Sequence, residues 1–137
     1  MLRKFSLIIA AAVIATTTGA AAATAQSGVT RTDLQRHDLS IKNHETVQAR
    51  IDIAPGAHAG WHRHPGEEVI YVLEGTLEYQ LEGKSPVVLK AGDVLFVPHG
   101  VAHRAHNPGK ENGAELATYI VEKGKPLVVP APELDGR

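Results

Sequence analysis

The chain has 137 residues, the length of a single domain. Its 14 Lys and Arg against 15 Asp and Glu give a formal charge of −1, without the basic excess of a nucleic-acid-binding module. There is no cysteine, which excludes disulfides, thiolate metal sites, iron–sulfur clusters and a cysteine nucleophile. Eight histidines are many for this length, and 13 Gly with 8 Pro suit a strand-rich chain with frequent turns.

The first residues read as an address. Met1, Leu2, Arg3 and Lys4 are followed by an apolar run over 5–14 and small residues over 15–25, ending Ala23-Thr24-Ala25. This three-part layout predicts a signal peptide over 1–25, cut after Ala25, and a periplasmic or secreted mature chain. The apolar stretch of about ten residues falls short of the ~20 that span a bilayer, so no stable membrane anchor is expected after cleavage.

Residues 26–46 read as an N-terminal extension leading to a first strand, with 26–33 polar and loose. Residues 47–53 (VQARIDI) alternate apolar and polar, the period of a half-buried strand. Residues 69–73 (VIYVL) and 76–81 (TLEYQL) are two more strands joined through Glu74-Gly75. A turn over 82–86 precedes a strand at 87–89. Another turn over 90–93 precedes 94–97, which stops at Pro98, and 115–121 (ELATYIV) is the last core strand. Strands recurring every ~8–12 residues between Gly and Pro turns predict an all-β sandwich or barrel over 47–125. Residues 126–137 form a Pro-rich tail with mobile final residues.

The chemistry concentrates in two stretches. His62 and His64 are two apart, so in an extended chain both imidazoles point to one face. Glu68 lies an even number of positions further and can share that face if Pro65-Gly66 turns into the next strand. Two imidazoles and a carboxylate suit Fe, Mn, Ni, Zn or Cu. About forty residues on, a strand, a turn around Pro98-His99-Gly100 and a returning strand can aim His103 at the same point. A lone His-x-His is weak, but the full spacings are not. The first stretch reads Gly-x5-His-x-His-x3-Glu-x6-Gly from Gly56 to Gly75. The second reads Gly-x5-Pro-x-Gly-x2-His-x3-Asn from Gly92 to Asn107. Both in order by chance is on the order of one in a million for this composition.

Those stretches resemble the two signature motifs of the cupin superfamily, with every specified position present. The chain is similar to small single-domain bacterial cupins such as the domains of quercetin dioxygenase-type enzymes. The resemblance implies a single-domain jelly-roll β-barrel, often dimeric, with one divalent transition-metal ion on His62, His64, Glu68 and His103. Exposed strand edges also leave room for a homodimer.

Other residues carry less. His58 shares the parity of His62, but Gly60 lies between them; it either orients a metal-bound imidazole or sits in a loop. His106, three from His103, should face away, and His99 sits in a turn. Trp61 and Arg63 should face opposite to His62, in packing or an interface, and Glu67 should face solvent. Arg50 either meets an anionic substrate or lies on a solvated strand face.

A six-coordinate ion on four protein ligands keeps two positions for small ligands, and Glu68 can also act as a general base. The first expectation is a dioxygenase-type oxidoreductase on a small enolic, phenolic or diketone-like substrate. Non-redox isomerase, lyase or hydrolase chemistry is the second. A non-enzymatic module that binds metal or a small ligand is the third.

Overall fold

The computed structural model describes residues 27–136. The expected signal peptide and its cut after Ala25 lie outside the described residues. Ten strands form two five-stranded antiparallel sheets packed face to face, the all-β architecture expected from the spacing of strands and turns and the jelly roll that the resemblance implies. One sheet runs, in spatial order, β1 (Val29–Asp38), β2 (His44–Ile53), β9 (Gly113–Glu122), β4 (Gly66–Glu74) and β7 (Val94–Val97). The other runs β10 (Val129–Pro130), β3 (His58–Arg63), β8 (His103–His106), β5 (Thr76–Leu81) and β6 (Val87–Lys90). No helix of the described residues is long and apolar enough to cross a membrane.

The core follows from alternation. Val47, Ala49, Ile51 and Ile53 of β2 point inward, as do Ile70 and Val72 of β4 and Ala117, Tyr119 and Val121 of β9. Leu77 and Tyr79 of β5 and Ala105 of β8 close the space from the opposite sheet. The register places Val47 beside Tyr119 and Tyr119 beside Glu68, so one inward row crosses three strands at the level of the histidines.

Both ends of the described residues depart from expectation. Of the segment read as loose over 26–33, the residues from Val29 onward belong to β1, which pairs with β2 from Val29 opposite Ile53 to Asp38 opposite Glu45. β1 is an edge strand exposed along almost its whole length, so ladder hydrogen bonds hold it rather than burial. An alternation search has nothing to find there. The Pro-rich tail is not loose over its described part. β10 pairs with β3, a 3-10 turn follows at Pro132–Leu134, and Ala131 and Leu134 are buried against Trp61 and Ala102. Proline is tolerated because β10 is an outermost strand, where a missing N–H costs no ladder bond.

Candidate metal centre

β3 and the extended residue after it carry His62 and His64, β4 carries Glu68 and β8 carries His103. β3 and β8 are neighbours with His62 opposite His103, which makes the two stretches of sequence converge. The imidazole centroids stand 4.9 Å (His62–His64), 4.3 Å (His62–His103) and 5.1 Å (His64–His103) apart. A ligand nitrogen from each lies within 4.8 Å of the others, so the three histidines could hold a metal ion. The Glu68 carboxylate joins them from the opposite sheet, with Oε2 3.2 Å from His64 Nε2 and 2.9 Å from His103 Nε2. His64, Glu68 and His103 are only 2–3% exposed, and His62 is half-buried on the accessible side.

The hydrogen bonds settle which nitrogen of each ring faces the centre. His62 Nδ1 lies 2.7 Å from Gly60 O, His64 Nδ1 2.6 Å from Leu127 O and His103 Nδ1 3.1 Å from Val101 O. A carbonyl can only accept, so each Nδ1 donates and each neutral ring is left with a bare lone pair on Nε2. Three lone pairs and a carboxylate oxygen therefore crowd one point. His64 Nε2 and Glu68 Oε2 find no hydrogen-bond partner although both are buried. Buried acceptors facing one another are unfavourable unless something positive lies between them. A divalent cation satisfies all of them at once, and the donor set fits one.

The titration tendencies agree. Burial, with His103 and His64 close by, holds the His62 imidazole down at about 4, in the neutral form that ligates. Burial pushes the Glu68 carboxyl toward protonation; it is held below the usual range by positive charge facing it, from a proton on His103 or His64 or, where both rings are neutral, from a cation in the gap.

The remaining histidines stay outside this cluster. β3 and β8 slip register between Ala59 and His62, so one extra residue at Gly60-Trp61 resets the parity. His58 then pairs with His106 away from the centre, and His106 stands 3.9 Å from the Glu78 carboxylate. His99 is exposed in its turn. Trp61 and Arg63 face outward as parity requires. Arg104 lies over the Trp61 ring at 5.2 Å, and Arg63 reaches Glu133 at 2.6 Å. Arg50 pairs with Asp52 and Glu74, each at 2.8 Å, rather than facing a substrate. Glu67 is half-buried, opposite Ile120.

Sequence reasoning missed five neighbours. The Tyr119 ring stands edge-on to His64 at 4.7 Å, and Arg31 of β1 lies over it at 5.4 Å. Arg31, ion-paired with Asp33, and Leu127, whose carbonyl meets His64, both line a cleft of about 410 Å³. Deeper in the barrel, Tyr79 donates its hydroxyl proton to Glu115. Burial and the charge of Glu68 push the Glu115 carboxyl up to about 8, toward its protonated form. The inward parity of Glu115 and Tyr119 along 115–121 was the one available signal.

Residues 49–122 match the cupin domain family. The chain belongs to the cupins. An oxalate-binding protein of Thermotoga maritima is 36% identical over 83 residues, covering 60% of this chain and 68% of that protein. Oryzines biosynthesis cluster protein J of Aspergillus oryzae is 34% identical over 109 residues, covering 74% and 60%. Germin-like protein 1 of Brassica napus is 37% identical over 76 residues, 52% of this cupin but 37% of that longer protein. Among solved structures, a cupin-like protein from Thermotoga maritima superposes with TM-score 0.63 at 27% identity, covering 75% of each chain. An oxalate oxidase superposes with TM-score 0.64 at 24% identity, covering 80% of this cupin and 58% of the oxidase, and shares the fold.

Proposed function

We propose that this cupin holds one divalent transition-metal ion on His62, His64, Glu68 and His103 and binds a small substrate through two adjacent oxygens. A dicarboxylate of the oxalate type comes first, and an enolate or phenolate offers the same bite. The reaction is a dioxygen-dependent oxidation. The observation that carries this is the convergence of three Nε2 lone pairs on a buried carboxylate with no donor among them.

When bound, the ion supplies Lewis acidity and, if redox-active, a route for electrons to dioxygen. The protein's part is positioning and proton handling. The three Nδ1–H bonds fix the imidazoles. Glu68, a buried carboxylate at the centre, is the base that accepts a proton from an acidic or enolic substrate. Arg31, over the Tyr119 ring that stands against His64, brings a cation near the centre, which favours an anionic substrate. The 36% identity to an oxalate-binding protein supports the substrate class, and the word binding in its name favours a second reading, capture without turnover.

One experiment separates these. The protein is loaded in turn with Fe(II), Mn(II), Ni(II) and Zn(II), and oxalate, diketones and flavonols are titrated by calorimetry and in an oxygen electrode. Oxygen uptake coupled to substrate loss supports the oxidase reading. Tight oxalate binding with no product in any metal form leaves the binding reading. Failure to take up any metal overturns both.

We further propose that residues 1–25 are removed on export, which N-terminal sequencing of the exported protein would test by finding Gln26 first. We also propose a homodimer through the outer face of β4 and β7. Val69 opposite Phe96, Tyr71 opposite Val94, and Leu73 are all 38–63% exposed there. These five side chains offer roughly 400 Å² of uncharged surface, about half of the ~800 Å² each partner gives a standard interface. An uncharged apolar patch beside an open strand edge is complementary to itself, so a second copy is its occupant.

A further inference from the structure

Two of the three imidazole orientations are local: His62 Nδ1 donates to the Gly60 carbonyl and His103 Nδ1 to that of Val101, each two residues earlier in the chain. His64 differs. Its Nδ1 donates to the carbonyl of Leu127, 63 residues further along the chain. Leu127 lies beyond the segment 49–122 that matches the cupin family.

The segment around Leu127 is anchored at several points. β9 ends at Glu122, the chain turns through Gly124, and Leu127 packs on the main core. Val129 and Pro130 then pair with Arg63 and His62, covering the edge of the strand that carries a ligand. The Ala131 N–H donates to Trp61 O at 2.8 Å. Ala131 and Leu134 bury themselves against Trp61 and Ala102, a small core on the outer side of β3 and β8. Glu133 closes the arrangement on Arg63 at 2.6 Å.

We infer that the C-terminal segment 126–134 is a strap that positions His64 and the His62 strand for metal binding. Leu127 is a positioning residue that acts through its backbone carbonyl, and Leu134, Ala131 and Glu133 hold it in place. A carbonyl that fixes the tautomer and ring plane of a ligating imidazole typically accounts for about 10–100-fold in metal affinity. Releasing the strap frees His64 to rotate and to carry its proton on Nε2, where it cannot ligate. This inference rests on the metal reading above.

Co(II) makes the test readable, because its visible absorption reports coordination geometry directly. Three proteins are compared: wild type, Leu134→Asp, and a chain truncated after Lys125. Co(II) affinity is measured by competition with a chelator, the absorption spectrum is recorded, and apo-protein melting is followed in parallel. The expected result is a loss of roughly 10–100-fold in affinity for both variants, with an altered Co(II) spectrum. A synthetic peptide of residues 126–137 should restore both in the truncated protein. Affinity and spectrum equal to wild type in Leu134→Asp, with only the melting temperature lowered, would reduce the strap to a structural role and overturn the inference. If the truncated chain does not fold, Leu134→Asp and Arg63→Met decide by the same two readings. A wild-type protein that takes up no Co(II) removes the metal reading itself, a failure distinct from wild-type binding that the variants leave unchanged.

Discussion

At the scale of single residues, the histidines differ by which way their strand turns them. His62 and His103 face one another across β3 and β8, whereas His106, one strand parity off, stands beside Glu78. His62→Ala or His103→Ala should therefore cut metal stoichiometry sharply, and His106→Ala should leave it intact; elemental analysis of the three purified variants reads this directly. Equal loss in all three would contradict the inward and outward assignment. Glu115 makes a prediction of the opposite kind, about stability and pH. Its ordinary value of 4.5 applies in the unfolded chain, and burial raises it to about 8 in the fold. A raised folded value means that its contribution is complete below pH 4.5 and is lost as pH rises through 8. Glu115→Gln keeps an acceptor for the Tyr79 hydroxyl and removes the titration. The variant should match wild type near pH 4.5 and exceed it increasingly toward pH 8, by up to the order of 4 kcal/mol. Urea denaturation of the metal-free proteins at the two pH values measures the difference. The short motifs made His62, His64, Glu68 and His103 legible as residues. Glu115 escaped because an acidic residue in an apolar run carries no sign of whether it is buried, exposed or paired.

At the scale of the element, backbone approach decides what the strands tolerate. Gly66 begins β4 two residues before Glu68, and a Cβ there would lie 2.0 Å from the Ile120 carbonyl oxygen and 2.7 Å from Val121 Cα. Backbone cannot swing aside as a side chain can. Gly66→Ala should force β4 from β9 and cost about 3 kcal/mol or more, with metal affinity falling as Glu68 shifts. Gly83, with φ of 75° and open space where a Cβ would go, should lose only about 1 kcal/mol on the same change. Denaturant midpoints of the two variants test the contrast. Asn107, the last motif position, proves to be a clasp at the end of β2. Its side-chain amide donates to Ile53 O and Glu111 O and accepts from Gly109 N–H, at 2.7–2.8 Å. Most strands could be placed from alternation and turns. β1 and β10 could not, because β1 is exposed along almost its whole length and β10 is two exposed residues, so pairing rather than burial holds the chain there. The extra residue at Gly60-Trp61 was equally hidden, since a bulge changes parity without changing composition.

At the scale of the whole molecule, the outer faces of the sheets are not alike. On β2 and β9 polar side chains bond to one another, as Gln48 does to Thr118 at 2.9 Å, while β4 and β7 expose Val69, Tyr71, Leu73, Val94 and Phe96. A homodimer through the second surface predicts that Phe96→Lys with Val94→Lys converts a dimer to a monomer in sedimentation velocity, with metal binding retained. A wild-type protein that sediments as a monomer at micromolar concentration contradicts it. Such a surface had been expected only as an exposed edge, because the facing of each apolar residue depends on a register that residues far apart in the chain impose.

The amino-acid sequence alone determined the fold class, most strand positions and the identity of the candidate ligands. Those follow from local periodicity and from donor types at fixed spacing, which a linear chain records. Only the tertiary structure decided that all three Nε2 atoms face inward, that Glu115 is buried on Tyr79, and that the C-terminal segment orients His64. The meeting of those three atoms, the Tyr79–Glu115 bond and the His64–Leu127 bond each join stretches far apart in the chain, and distance in space is what spacing along a sequence does not encode.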